Sequence, residues 1–306
     1  MPSLKLNKPL VINNLTKNYG NSRGIKSISL NLEPGEVFGF LGPNGAGKST
    51  TIKTILNFLA PSSGDVKIFG LDSVKFSTQI KQQIGYLAGE FTVYENLTGE
   101  QLLTYLGSFN QNFDWQNVEE LAKQFDAELN KKISNLSKGN KQKLGLIQAF
   151  MHQPKLLILD EPTSGLDPIM QEEFFKLIQV AREKGTTIFF SSHNIFEVQR
   201  VANRAGFIRN GQLIAVEDIN NLHKIGLHKL EVHFAKSVPE DKFKGIKNVN
   251  VIKADSNIIK FTVKGSINLL IKKLAEFDVI SINFQETNLE EIFLNYYLPQ
   301  ENKNEN

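Results

Sequence analysis

GPNGAGKST, residues 42–50, decides the fold of this 306-residue chain. Gly42, Gly47, Lys48 and Ser49 fall on the fixed positions of GxxxxGK[ST]. The apolar stretch Glu36–Leu41 precedes the loop and a helical pattern over Ser49–Phe58 follows it. Strand, glycine loop and helix in that order are the setting in which this motif cradles the phosphates of a nucleoside triphosphate. Glycines let backbone N–H groups turn inward around the phosphates, and the helix N-terminus adds the positive end of its dipole. Lys48 brings charge to the β- and γ-phosphates, and the Ser49 hydroxyl is a ligand for Mg²⁺. Gly42, Pro43, Asn44, Gly45, Ala46, Gly47, Lys48, Ser49 and Thr50 are therefore predicted to bind ATP together with Mg²⁺.

Further along lies LLILDEP, residues 156–162, a buried-strand run ending in two acids. Carboxylates at the C-terminal end of a strand stand where ligands bind in open α/β sheets. Asp160 is predicted to hold Mg²⁺, directly or through water, and Glu161 to polarise the attacking water as general base. Around these motifs the first two thirds of the chain alternate strand and helix, the signature of a layered α/β domain. Strands are expected at Glu36–Leu41, Ile84–Leu87, Leu156–Asp160, Thr186–Ser191 and Gly206–Arg209, and helices at Ser49–Phe58, Met170–Glu183 and Phe196–Ala202. Leu10–Thr16 and Ile28–Leu32 read as antiparallel strands joined by the turn-rich Tyr19–Gly24. Residues 96–154 are helix-rich, with helices expected at Glu100–Phe109, Asn117–Phe125 and Lys138–His152, and read as a helical subdomain inserted in the core.

After residue 219 the texture changes. Lys229–Ala235, Val249–Lys253, Ile258–Val263 and Val279–Gln285 alternate apolar with polar residues, as half-buried strands do. Ile267–Phe277 and Leu289–Tyr297 have helical spacing, and Pro239–Phe243 reads as a short helix or turn. The order is close to βαββαβ with a terminal helix, a small α+β domain over residues 220–300 behind a larger domain over residues 1–219. Residues 301–306, ENKNEN, are expected to be disordered.

The net charge is +3 and no run of Lys and Arg forms a nucleic-acid stripe, so nucleic acid is not an expected partner. The chain contains no cysteine, which excludes disulfides, thiol catalysis and Cys-based zinc sites. No stretch reaches the roughly 18 uninterrupted apolar residues that a membrane span needs, and the N-terminus does not read as a signal peptide. A membrane role would need a partner.

Together the motifs resemble those of the ATP-binding cassette (ABC) ATPases, over about residues 10–217. LSKGN, residues 136–140, is similar to the family's LSGGQ signature, with Lys138 and Asn140 as the departures. Read alone it is a plain helix N-cap, and its place ahead of LLILDEP gives it meaning. The resemblance implies two chains sandwiching two ATP molecules, with Ser137 and Gly139 of one chain reaching the γ-phosphate held by the other. SGLD, residues 164–167, resembles the D-loop at the dimer interface, which assigns Asp167 there. His193 in SSHN stands where the family's switch histidine reaches the γ-phosphate, and Tyr19 matches the aromatic that stacks on adenine. His152, His223, His228 and His233 have no such context. The family's Q-loop glutamine falls on Gly89 or Glu90 here, and Glu90 could ligate metal or orient water with added negative charge.

Translation-factor members of the family carry two cassettes in one chain, and chromosome and repair members insert long coiled coils or zinc modules. This sequence shows one cassette and neither insertion. ISINFQETNLEEIFLNYY, residues 280–297, resembles the accessory domain behind the cassette of bacterial exporter ATPases that pair with a separately encoded permease. The implied function is an ATP-hydrolysing subunit that dimerises around ATP and drives efflux. It would sit at the cytoplasmic face of the membrane through that permease, which would dock near Gly89–Asn96. A soluble ABC ATPase acting on another macromolecule is the alternative. A P-loop kinase would leave the signature and switch-histidine motifs unexplained.

Overall fold

A computed structural model of the chain describes residues 8–20, 22–89, 94–110, 113–219, 227–264 and 266–285. The chain divides into two compact units, Met1–Val216 and Glu217–Asn306.

The first unit is built on two sheets. The smaller is antiparallel and contains β1 (Leu10–Tyr19), β2 (Ser22–Leu32), β4 (Ser63–Ile68) and β5 (Leu71–Asp72), in the order β2-β1-β4-β5. The larger has the order β10-β9-β3-β8-β7-β6. Its strands are β3 (Val37–Leu41), β6 (Ile84–Leu87), β7 (Leu156–Asp160), β8 (Thr187–Ser192), β9 (Arg204–Arg209) and β10 (Gln212–Asp218). The pairings from β9 through β3, β8 and β7 to β6 are parallel. The two sheets differ in the way their sequences predict. VFGFL, LLILD and TIFFSS are buried at every position, as parallel strands covered on both faces must be. β1 mixes buried and exposed positions, because its outer face meets water. Phe38 and Phe40 of β3 pack on Phe189 of β8, with ring centroids 5.8 and 5.3 Å apart.

Helix α1 (Lys48–Ile55) follows β3, α2 (Ser77–Lys81) precedes β6, α6 (Pro168–Glu183) follows β7 and α7 (Ile195–Val201) follows β8. Between β6 and β7 lie α3 (Gly99–Gly107), α4 (Trp115–Gln124) and α5 (Lys138–Phe150), with a single 3₁₀ turn at Ile133–Asn135. Each starts at a polar cap. Thr98 and Gln101 form a reciprocal capping box on α3, Asp114 caps α4 and Ser137 caps α5.

Most expected elements appear within a few residues of their predicted ends. The expected turn at Tyr19–Gly24 is tighter, since β1 runs to Tyr19 and β2 already begins at Ser22. Among the described residues five elements had no expectation: β4, β5, α2, β10 and the 3₁₀ turn at Ile133–Asn135. They are short or mostly half-exposed, so tertiary pairing fixes them where apolar period does not.

In the second unit β11 (Leu227–Phe234), β12 (Val249–Asp255), β13 (Ile258–Lys264) and β14 (Val279–Gln285) form an antiparallel sheet in the order β12-β13-β11-β14. A 3₁₀ turn at Glu240–Phe243 and helix α8 (Asn268–Leu274) complete the βαββαβ order. Alternate strand residues Leu230, Val232, Phe234, Ile259, Phe261 and Val263 share a core with Phe243, Leu270 and Leu274. The helix expected at Leu289–Tyr297 and the tail at residues 301–306 lie outside the described residues.

Candidate nucleotide site

The phosphate loop joins β3 to α1 at the C-terminal edge of the parallel sheet. Gly47 is the N-cap of α1 in a left-handed conformation, φ 110°, with no side-chain cap on the helix. A Cβ on it would stand 2.9 Å from Ile25 Cγ2, so glycine is required both by backbone angle and by space. The first bond along the helix runs from the Thr51 N–H to the Gly47 carbonyl, 2.9 Å. The N–H groups of Lys48, Ser49 and Thr50 thus point out of the helix end, ready for an anion. Pro43, Asn44, Gly45 and Ser49 are exposed, while Lys48 is buried.

The Lys48 ammonium donates to the Gly42 carbonyl (2.6 Å) and the Pro43 carbonyl (3.2 Å). It also lies 3.0 Å from Glu161 Oε1, within ion-pair distance. That oxygen is buried without an aligned hydrogen-bond donor, so its partner is the charge alone. Glu161 Oε2 is 2.7 Å from His193 Nδ1, and with the carboxylate ionised Nδ1 is the donor. Lys48, Glu161 and His193, placed in one site by three separate motifs, do meet. His193 is exposed, so its other ring face is open to a ligand. A phosphate entering the loop would compete with Glu161 for the Lys48 charge.

Asp160, at the end of β7, is buried, with 1% of its surface exposed. Its Oδ1 accepts from the Ser191 hydroxyl (2.6 Å), and its negative charge, after burial, helps push the Tyr86 phenol up to about 12. Gly89 closes on the same carboxylate, since a Cβ there would stand 3.2 Å from Asp160 Oδ2. Hydroxyl and carboxylate oxygens are the ligand types Mg²⁺ prefers, so the donor set of Ser49 and Asp160 fits it. Glu90 lies outside the described residues.

The remaining predicted positions stand on the surface. Tyr19, at the end of β1, is 41% exposed, with Lys17 Nζ 5.5 Å from its ring centroid. The Ser137 hydroxyl accepts from the Asn140 N–H (3.2 Å) and Asp167 accepts from the Met170 N–H (3.0 Å), so within one chain both are helix caps. Gly139 permits a close approach inside the chain, because a Cβ on it would stand 2.8 Å from the Gly165 carbonyl. The Lys138 stem lies beside Gly165 in the same contact.

Three side chains around the acids escaped the sequence reading. Ser191 bridges Asp160 and the Glu161 N–H. Gln142, buried on α5, donates to the Pro162 carbonyl (3.0 Å) and the Glu161 carbonyl (3.4 Å). Glu197 accepts from Thr163 (2.7 Å) and Ser192 (2.6 Å). The signal at Ser191 was a polar residue closing the apolar run IFF; Gln142, between Lys141 and Lys143, carried none.

Residues 25–164 match the ABC transporter family. The chain is 34% identical over 291 residues to the bacitracin transport ATP-binding protein BcrA of Bacillus licheniformis, covering 92% of this chain and 94% of that one. It is 30% identical over 305 residues to the linearmycin resistance ATP-binding protein LnrL of Bacillus subtilis (strain 168), covering 92% and 96%. Among solved structures it is similar to the ATP-binding subunit of an ABC transporter, with 27% identity, a TM-score of 0.65, and coverage of 70% of this chain and 91% of that one. The dimeric structure of a bacterial ABC transporter cassette gives 25%, a TM-score of 0.62, and coverage of 69% and 98%. By sequence over nearly its whole length and by fold, the chain belongs to the ABC transporter ATP-binding proteins, and it is an ATPase.

Proposed function

We propose that this ATPase powers efflux through a separately encoded membrane permease, pairing with a second copy of itself around ATP at the cytoplasmic face. The observation that carries the reading is the likeness, over nearly the full length, to a bacitracin transport protein and a linearmycin resistance protein. Among the described residues no helix is long and apolar enough to cross a membrane, which fits a partner supplying the pathway. Exposed rings at Tyr94, Tyr105 and Phe109 form an edge-to-face ladder, with centroids 6.0 and 5.1 Å apart. Such a patch suits a protein partner better than water. It lies on and beside α3, next to the segment where docking was expected.

In the proposed cycle, the loop and the α1 N-terminus bind the phosphates, with Lys48 on the charge and Tyr19 under adenine. When bound to Ser49 and Asp160, Mg²⁺ would neutralise developing phosphate charge. Glu161 takes up the proton of the attacking water, and His193 holds that carboxylate and reaches toward the γ-phosphate. Ser137 and Gly139 of the second copy close over the same ATP, and Asp167 lies in the interface. ATP binding thus becomes closure, and hydrolysis reopens the pair. The test is affinity purification from membranes of the source cell. Co-purification of an integral protein with several apolar spans is expected. Recovery with ribosomes or DNA and with no integral protein would favour a soluble ABC ATPase and contradict the transport reading.

A further inference from the structure

Ser191 is buried on β8, a strand whose inner residues Ile188, Phe189 and Phe190 are apolar. A hydroxyl in such a strand carries a desolvation cost unless both its donor and acceptor capacities are used. Here both are used, and both on the two acids of the site. The parallel register sets Ser191 beside Asp160. Its hydroxyl donates to Asp160 Oδ1 at 2.6 Å and accepts the Glu161 N–H at 3.0 Å.

Glu161 needs such an anchor. Its φ is 49°, the left-handed region that non-glycine residues avoid. That turn swings its side chain from the strand end toward Lys48 and His193. The carbonyl side of the turn is held as well, by the Ser164 N–H at 3.1 Å and by Gln142. The N–H side has Ser191. For packing alone alanine would fill the position; only the hydroxyl ties one acid's carboxylate to the other's backbone.

We propose that Ser191 is a positioning residue for ATP hydrolysis, its single buried hydroxyl fixing the Asp160 carboxylate and the left-handed turn that presents Glu161. The proposal rests on the reading of Glu161 as the group that polarises water. The bonds of the Ser191 hydroxyl go to Asp160 and Glu161 and not to the lysine, so its loss falls on turnover and spares the affinity for nucleotide without Mg²⁺.

The test compares Ser191→Ala, the near-isosteric but poorly donating Ser191→Cys, Glu161→Gln, and the double variant Ser191→Ala/Glu161→Gln, each assayed for kcat and for ADP affinity in the absence of Mg²⁺. Ser191→Ala is expected to lose at least about tenfold in kcat, the consequence of an unanchored acid pair, with ADP affinity within about twofold of wild type. Ser191→Cys should keep the fold and fall between. The double variant should lose less than the product of the two single losses, because Ser191 acts in part through the turn that presents Glu161. Wild-type kcat in Ser191→Cys, with Glu161→Gln inactive, would overturn the proposal and leave the Glu161 reading intact. Parallel loss of ADP affinity in Ser191→Cys would assign Ser191 a merely structural role and also overturn it. Wild-type hydrolysis by Glu161→Gln would instead remove the reading on which the proposal rests.

Discussion

Two helix starts in this protein are made from the same few residue types, and they do different things. GPNGAGKST opens α1 and LSKGN opens α5, both with Gly, Lys and Ser. At α1 the N-cap is a left-handed glycine with no side-chain cap, and the lysine turns inward to two loop carbonyls and Glu161. At α5 the serine hydroxyl caps its own helix and Lys138 stays exposed. The first end is left open for an anion and has acids converging on it. The second has one N–H capped by its own serine. A helix N-terminus therefore becomes a ligand site through what the sheet brings next to it, and composition alone does not show this.

The largest effect is expected at α1, from Lys48→Ala. That change removes the buried cation that pairs with Glu161 and that the proposed phosphate site relies on. ATP affinity is expected to weaken about ten- to a hundredfold, as loss of charged hydrogen bonds implies. Titration calorimetry showing unchanged affinity would remove Lys48 from the phosphate site. A smaller effect sharpens the other end. Ser137→Ala and Asp167→Ala should each cost about 1 kcal/mol of stability through a lost cap, a few degrees in Tm by calorimetry. If Ser137 also reaches a partner's ATP, its variant should in addition lower kcat at saturating ATP. A drop in Tm with unchanged kcat would leave LSKGN a plain cap.

The smallest expected effect comes from half-buried His152. Burial holds the His152 imidazole below its ordinary 6.5, while its bond to the Ile84 carbonyl, 3.1 Å, pulls the other way. The folded chain thus resists a proton that the unfolded chain accepts. His152 contributes stability above pH 6.5 that is lost as pH falls below it. His152→Gln should flatten the fall of Tm on the acid side of that value, and an unaltered slope would count against it.

The sequence made legible whatever depends on a local pattern. Largely apolar runs marked β3, β7 and β8, and Gly47 and Lys48 announced a loop whose backbone had to be bare. Pairing across the chain was not legible. β4 has only two buried residues among six, and α2 has five residues, so neither carries a period. The bond from Ser191 to Asp160 depends on a strand register between residues 31 positions apart. The cap at Ser137 could be read from LSKGN alone, whereas the cap at Asp167 on α6 was not read.

In the proposed cycle ATP joins two copies of this chain across those two helix starts. Light scattering on Glu161→Gln with Mg²⁺ and ATP reads that step. A particle of about twice the 34.4 kDa chain is expected with ATP and a single chain without it. A single chain at saturating ATP, with wild-type turnover per molecule independent of protein concentration, would contradict it.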